Sequence, residues 1–347
     1  MTELVRKIKC PLLKVPEVPL CDSQALDELC HYIDSNMPWS GVKTFERGSI
    51  TSPGRLDLCK QGIGANGTER LVTALKDNQH IKHVLLGTDS LGDKGANILA
   101  QYLSGDESLE TVYLGCNVIS ESGVAALSQA LANNTSVKSL WLKRNPIGNA
   151  GVRSIAKMLG ANTSLRTLDL VNTGIDHEGV ELIAEALING SAPVQAIYLG
   201  GNQLDEKSID GIASLLKAPF LEALFLSVNS LGNEALKAIL ESASLESKII
   251  ELGLASNGIE AAGLAALFEV GGSVQFKSLD LGYARSTKVL GGKANFFGDS
   301  FGENWNQWLN SQLSLGSLKL NKTGVGHITL CKIIETVKSH KSLHTLM

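Results

Sequence analysis

The chain is poor in proline, in aromatic residues and in charge of a single sign. Eight prolines in 347 residues, with 35 glycines set at no three-residue period, exclude a collagen-like chain. Lys plus Arg number 31 against 35 Asp plus Glu, a net charge of 31 − 35 = −4, which excludes a strongly basic nucleic-acid scaffold. The six cysteines (Cys10, Cys21, Cys30, Cys59, Cys116, Cys331) are scattered with no C-x-x-C pair, so neither a disulfide framework nor a zinc site is indicated and reduced thiols in the cytoplasm are expected. No apolar run is long enough for a membrane span. A secretion signal is not expected either, because Met1 to Leu20 is interrupted by Pro11, Lys14, Pro16 and Pro19. What is abundant is core material, 44% of the residues being apolar.

That apolar content recurs at a fixed period. The pattern L-x-x-L-x-L-x-x-N-x-L/I begins at Pro53, Ile81, Leu109, Val137, Leu165, Val194, Leu221, Ile249, Phe276, Leu315 and Leu343, at spacings of 28, 28, 28, 28, 29, 27, 28, 27, 39 and 28. Eleven starts at a nearly fixed period are the signature of a stacked array in which each repeat rests on its neighbours. Within a repeat, alternating residues such as Leu140 and Leu142 predict a short strand with one buried face. Asn at the ninth position (Asn117, Asn145, Asn202, Asn229, Asn257) is suited to satisfy backbone groups where the chain leaves the strand. Gln61, Asp89, Thr173 and Thr323 can replace it in part, and Ala284 cannot. Val124, Leu127 and Leu131 then show helical spacing.

These motifs, read most fully in LETVYLGCNVISESG from Leu109 and VKSLWLKRNPIGNAG from Val137, resemble the leucine-rich repeat family over residues 53–347. The long period is similar to the ribonuclease-inhibitor-like subclass, which includes NOD-like receptor repeat domains, Ran GTPase-activating proteins and bacterial leucine-rich repeat effectors. The fold expected is therefore an α/β horseshoe, a solenoid with a parallel β-sheet on its concave face and α-helices on its convex face. Residues 1–52 lie outside the repeat. With Leu26, Leu29, Cys30 and Ile33 on one helical face, they are expected to form an N-terminal cap with one amphipathic helix. Residues 53–347 form the array of about eleven repeats, and the spacing of 39, eleven above 28, puts an insertion near 285–302. Trp305 and Leu309 precede Leu315 as Leu127 and Leu131 precede Val137, which makes them core; Phe296 and Phe297 receive no core assignment. The chain stops in mid-repeat at Met347, consistent with a closing strand or with part of a longer protein.

Chemical motifs are few. Gly62-Ile-Gly64-Ala-Asn-Gly67 spells a dinucleotide-binding fingerprint, yet Gly67 aligns with Gly95, Gly123, Gly151, Gly179 and Gly263, so a structural role at the helix start explains it better. His80 with His83, His340 with His344, and Asp176-His177-Glu178 lack a third ligand or a nucleophile. No catalytic residue, metal or small-molecule cofactor is assigned. Sequons at Asn66, Asn133, Asn134, Asn162, Asn189 and Asn321 read as by-products of polar loops.

The concave face offers more. Fifth positions run Asp57, Leu85, Tyr113, Trp141, Asp169, Tyr198, Phe225, Gly253, Asp280 and Lys319, so four of seventeen aromatic residues (8 Phe, 5 Tyr, 4 Trp) sit where polar groups are expected. Small neighbours such as Gly115, Ala196 and Ala223 are expected to leave the rings uncovered. At about 4.8 Å per strand, Leu85 to Phe225 would span roughly 24 Å, a width for a protein. Leu85, Tyr113, Trp141, Lys143, Arg144, Asp169, Tyr198 and Phe225 are the candidate partner-binding residues, with Lys143 and Arg144 in a mixed-charge rim. The expected function is a non-enzymatic interaction scaffold binding a protein, not nucleic acid or membrane. The resemblance also implies alternatives: a GTPase-activating regulator, the ligand-sensing region of a larger receptor, or a bacterial effector in host-cell cytoplasm.

Overall fold

The computed structural model describes residues 18–245, 247–299 and 302–347. Residues 1–17 of the expected cap, Cys10 and residues 300–301 at the end of the expected insertion lie outside the described residues. The described chain forms two compact units, residues 18–175 with 189–194, and residues 176–188 with 195–347.

The first unit opens with a 3-10 turn, Ser23–Leu26, capped by Asp22, whose Oδ1 accepts from the Gln24 amide at 3.0 Å. It continues as helix α1, Asp27–Asp34, with Leu29 and Ile33 buried. An antiparallel pair follows, β1 (Val42–Thr44) and β2 (Ser49–Thr51), and β2 pairs antiparallel with β3 (Arg55–Asp57). This hairpin has no counterpart in the apolar spacing of residues 1–52, because β1 is exposed throughout. From β3 onward the strands are parallel and in register: β4 (His83–Leu85), β5 (Thr111–Tyr113), β6 (Ser139–Trp141) and β7 (Thr167–Asp169). Between them run α2 (Gly64–Leu75), α3 (Gly92–Leu103), α4 (Glu121–Leu131) and α5 (Gly148–Ala161).

The second unit repeats the scheme. Helix α6 (His177–Asn189) precedes β8 (Ala196–Tyr198), and β9 (Ala223–Phe225), β10 (Glu251–Gly253), β11 (Ser278–Asp280), β12 (Ser317–Lys319) and β13 (Thr345–Leu346) add on in parallel. The intervening helices are α7 (Ile209–Leu215), α8 (Gly232–Leu245), α9 (Ala261–Glu269), α10 (Thr287–Leu290), α11 (Gly302–Ser311) and α12 (His327–Ser339). Each unit is thus an α/β solenoid of leucine-rich repeats, with the middle residue of each strand from β3 to β12 buried against the helix layer. Val112, Leu140, Leu168, Ile197 and Leu252 are all 1% exposed or less, and each such side chain contributes on the order of 1.5–3 kcal/mol of burial.

Two polar ladders hold successive repeats together. In the first, Asn145 Oδ1 accepts from the amides of Asn117 (2.9 Å) and Ile119 (3.1 Å), while its Nδ2 donates to the carbonyls of Leu114 and Leu142 (2.9 Å each). One amide side chain therefore satisfies four buried backbone groups belonging to two repeats, which is why asparagine recurs every 28 residues. Thr173 and Thr323 supply a hydroxyl that donates to the Leu170 and Leu320 carbonyls, the partial replacement expected. The second ladder lies where the chain returns from helix to strand. Asn134 and Asn162 are 6% and 1% exposed, and each accepts from two amides of the segment that leads into the next strand, β6 or β7. Their sequons belong to this ladder, since Ser136 and Ser164 supply the amides being capped.

The insertion has the eleven residues expected and lies slightly earlier than 285–302. Ala284, the ninth residue by counting, is replaced in the ladder by Asn295. Its Oδ1 accepts from Asn257 and Ile259 (2.9 and 3.0 Å), and its Nδ2 donates to Leu254 and Leu281 (2.9 and 2.8 Å). Removal of residues 284–294 would leave Leu281-Gly-Tyr-Asn in place of Leu114-Gly-Cys-Asn117, so the inserted segment is 284–294 rather than 285–302. Phe297 then falls on the eleventh position, like Ile119 and Ile147, and is 2% exposed, whereas Phe296 is 62% exposed. Trp305 and Leu309 fill the helix core at 0% exposure, as their spacing predicts.

Candidate binding face

On the sheet face turned away from the helices, the fifth positions of the first unit form the row Asp57, Leu85, Tyr113, Trp141, Asp169, fixed by the parallel register. The Tyr113 and Trp141 rings are 6.5 Å apart between centroids and tilted by 41°. Lys143 Nζ stands 5.2 Å from the Tyr113 centroid, near enough for a cation–π contact. The small neighbours act otherwise than expected. A Cβ at Gly87 would lie 2.4 Å from Tyr113 Cε1, and one at Gly115 would lie 2.9 Å from its hydroxyl. The ring therefore reclines across two glycines with one side covered, and Tyr113 is half-buried. Burial lifts its hydroxyl to about 12, which keeps it protonated and able to donate near neutrality.

Asp169 departs from the expected rim. It is 2% exposed, its Oδ1 accepts from the Val171 amide at 2.8 Å, and burial raises its carboxyl to about 6 despite Lys143 and Arg144 nearby. It is an anchor beneath these two cations rather than a group offered to a partner. Arg144 occupies the left-handed region, φ 58°, in the turn after β6, and its Nη1 lies 3.7 Å from Cys116 Sγ. Lys138 is paired with Glu110 at 3.0 Å.

In the second unit Tyr198 and Phe225 are direct partners across β8 and β9. Their rings stack at 4.4 Å with an interplanar angle of 12°. Phe225 leans on Gly253, where a Cβ would meet its Cδ1 at 2.8 Å. Both residues are half-buried. The candidate rings thus form two pairs, in each of which one ring, Tyr113 or Phe225, packs on glycine.

The remaining motifs resolve into architecture. A Cβ at Gly62, φ 66°, would lie 2.0 Å from the Pro19 carbonyl oxygen, and one at Gly64 would lie 2.9 Å from Leu20 Cδ2. The Gly62–Gly67 loop is therefore filled by the chain's own residues 18–21, with the Cys21 amide donating to the Gly62 carbonyl at 2.8 Å, where a dinucleotide would need open space. Gly67, Gly95, Gly123 and Gly151 let the first helical turn rest on the side chain four residues earlier, at 2.5–2.8 Å for a notional Cβ. His340 closes the second ladder, its Nε2 3.1 Å from the Leu309 carbonyl and its Nδ1 accepting from the Leu343 amide. Asp176 caps α6 by accepting from the Glu178 amide at 3.0 Å. Among the described residues there is no group of three or more His, Cys, Asp or Glu placed to hold a metal, and no helix long and apolar enough to cross a membrane.

Comparison with known proteins agrees with this architecture. Residues 133–156 and 161–184 match the family model described as Leucine Rich repeat, in keeping with the leucine-rich repeat solenoid seen in each unit. Among solved structures it is similar to actin-binding site 2 of leiomodin-1, at 20% identity and a TM-score of 0.37 over 47% of this chain and 89% of that one. It is also similar to the tropomodulin C-terminal domain of Caenorhabditis elegans, at 15% identity and a TM-score of 0.36 over 44% of this chain and 90% of that one. Neither likeness is close enough to bear on function. No curated protein matches.

Proposed function

We propose that the protein is a non-enzymatic recognition scaffold that holds a protein partner against the sheet face turned away from its helices, in the cytoplasm. The observation that carries this reading is the pairing of rings at strand positions whose side chains are not needed for the core: Tyr113 with Trp141 in the first unit, Tyr198 with Phe225 in the second. In each pair one ring, Tyr113 or Phe225, lies on glycine and its neighbour packs against it, so the orientation is set before a partner arrives and little side-chain entropy is lost on contact. Rigid half-buried aromatics of this kind are the residues whose truncation costs most at an interface, on the order of 2 kcal/mol or more each. Leu85 extends the first pair, and Lys143 and Arg144 orient the encounter over the buried charge of Asp169. The five described cysteines are free thiols, which supports a reducing compartment.

The test is partner capture by the wild type and by the double variant Trp141→Ala, Tyr198→Ala, with folding followed in parallel. Loss of capture with retained secondary structure supports the reading. Capture undiminished by both substitutions would sink it.

A further inference from the structure

The inserted segment 284–294 is not required by the ladder, which resumes at Asn295 as though nothing intervened. It folds back over the turns of the two preceding repeats. A Cβ at Gly292 would lie 2.9 Å from Val228, the Lys293 carbonyl accepts from the Gly258 amide at 3.1 Å, and the Thr287 and Ser256 hydroxyls meet at 2.7 Å. Val228, left 6% exposed, is three residues beyond Phe225, in the turn that leaves β9. The segment is thus a fixed structure beside the Tyr198–Phe225 stack.

Its charge is of one sign. Residues 284–294 hold Arg285, Lys288 and Lys293 and no carboxylate, in a chain of net charge −4. All three cations are exposed, and among the described residues none has an ion-pair partner, whereas nearby Lys319 is paired with Asp280 at 3.2 Å and Lys322 covers the Tyr283 ring at 4.7 Å. Three uncompensated cations on a rigid support form a local positive field beside an apolar platform.

Resting on the recognition role above, the geometry points to a protein segment that is acidic at one end and apolar or aromatic at the other, its carboxylates engaging Arg285, Lys288 and Lys293 and its apolar end lying on Tyr198 and Phe225. A polypeptide fits better than a nucleic acid. Glu251 opens β10 in register with Ala223, and Glu222 immediately precedes β9, so evenly spaced phosphates running past the ring pair would meet carboxylates, while a peptide can confine its charge to one end.

The probe is a fluorescein-labelled peptide of about twelve residues, four Glu followed by Leu, Phe and Ser. It is compared by anisotropy with its Lys-for-Glu counterpart and with a single-stranded oligonucleotide of about twelve nucleotides. The expected result is binding of the acidic peptide alone, weakened at least about tenfold between roughly 50 and 300 mM salt and by the triple variant Arg285→Glu, Lys288→Glu, Lys293→Glu. Since all three residues are exposed, that variant retains its circular dichroism spectrum.

Equal binding of both peptides, tighter binding of the oligonucleotide, indifference to the triple variant, or no binding of the acidic peptide at about 100 μM would each overturn the proposal. The variant Tyr198→Ala, Phe225→Ala separates it from the recognition role. If that variant loses both peptides while the triple variant changes nothing, the ring platform stands without the basic segment. If only the triple variant matters, the basic segment stands and the platform fails.

Discussion

Asp89 occupies a ladder position where every neighbouring repeat has a group able to donate, and its substitution by asparagine gives a sharp test of the ladder. Its Oδ1 accepts from the amides of Gln61 and Gly62 at 2.8 Å each, the role of an asparagine oxygen. Its Oδ2 has no partner, and it takes the place where Asn145 Nδ2 donates to two carbonyls. An ionised oxygen cannot donate there; a protonated one can. Burial raises the Asp89 carboxyl from 3.8 to about 7, outweighing the amide bonds that favour its charged form. Between those values the unfolded chain is ionised and the folded chain holds a proton, so stability falls as pH rises, by about 1.4 kcal/mol per pH unit. The contribution is fully present below 3.8 and lost by about pH 7, a total of about 4 kcal/mol. Asp89→Asn, which does not titrate and donates at all pH values, is expected to raise stability by up to ~4 kcal/mol at pH 8 and by ~1 kcal/mol or less at pH 4. Urea unfolding of both proteins across this range measures it. Asp169, raised to about 6 by burial, shares the sign but cancels in the difference between the two proteins. A gain that does not depend on pH, or a loss at pH 8, would refute the assignment of Asp89 as a protonated stand-in for asparagine.

Other outcomes follow from the same geometry. Tyr198→Ala removes one side of a stack at 4.4 Å and is expected to lower stability by about 1 kcal/mol, seen as a small drop in melting temperature; a loss above about 3 kcal/mol would make the ring a core residue. Phe297→Ala, at 2% exposure, is expected to cost about 3–5 kcal/mol, against less than about 1 kcal/mol for Phe296→Ala at 62% exposure, both read by chemical denaturation. Deletion of residues 284–294 joins Tyr283 to Asn295 and is expected to leave a folded protein with an unchanged far-ultraviolet spectrum. Failure of that variant to fold would show that the segment is structural rather than an addition to a complete repeat.

The legible part of this chain is the part that repeats. A period of 28 and the alternation of Leu140 with Leu142 suffice for strand, turn and helix, because each repeat solves the same burial problem in the same way. Where the sequence misled, a local count was asked to decide a spatial question. Counting nine residues from Phe276 lands on Ala284, yet the backbone groups needing an amide are met by Asn295 after a detour, and the signal was present in the tetrapeptide that remains once the detour is removed. The rings misled differently. The smallness of Gly115 suggests exposure of Tyr113, but a glycine beside an aromatic is also a surface on which the ring can lie, and Gly87 acts in the same way. Gly87 belongs to the repeat before Tyr113, so the contact is invisible to any reading confined to one strand. The β1–β2 hairpin was missed for want of an apolar face. Sequence pattern therefore reports what a solenoid buries, while what it presents on its open face depends on neighbours in the adjacent repeat. It follows that variants of the flanking glycines, such as Gly115→Ala, would probe ring orientation more directly than variants of the rings: by crowding the Tyr113 hydroxyl, at 2.9 Å from the added carbon, this change lifts the ring off the sheet without removing it. If recognition depends on a preset ring, binding weakens while the aromatic content is unchanged; if it depends only on apolar area, binding is kept.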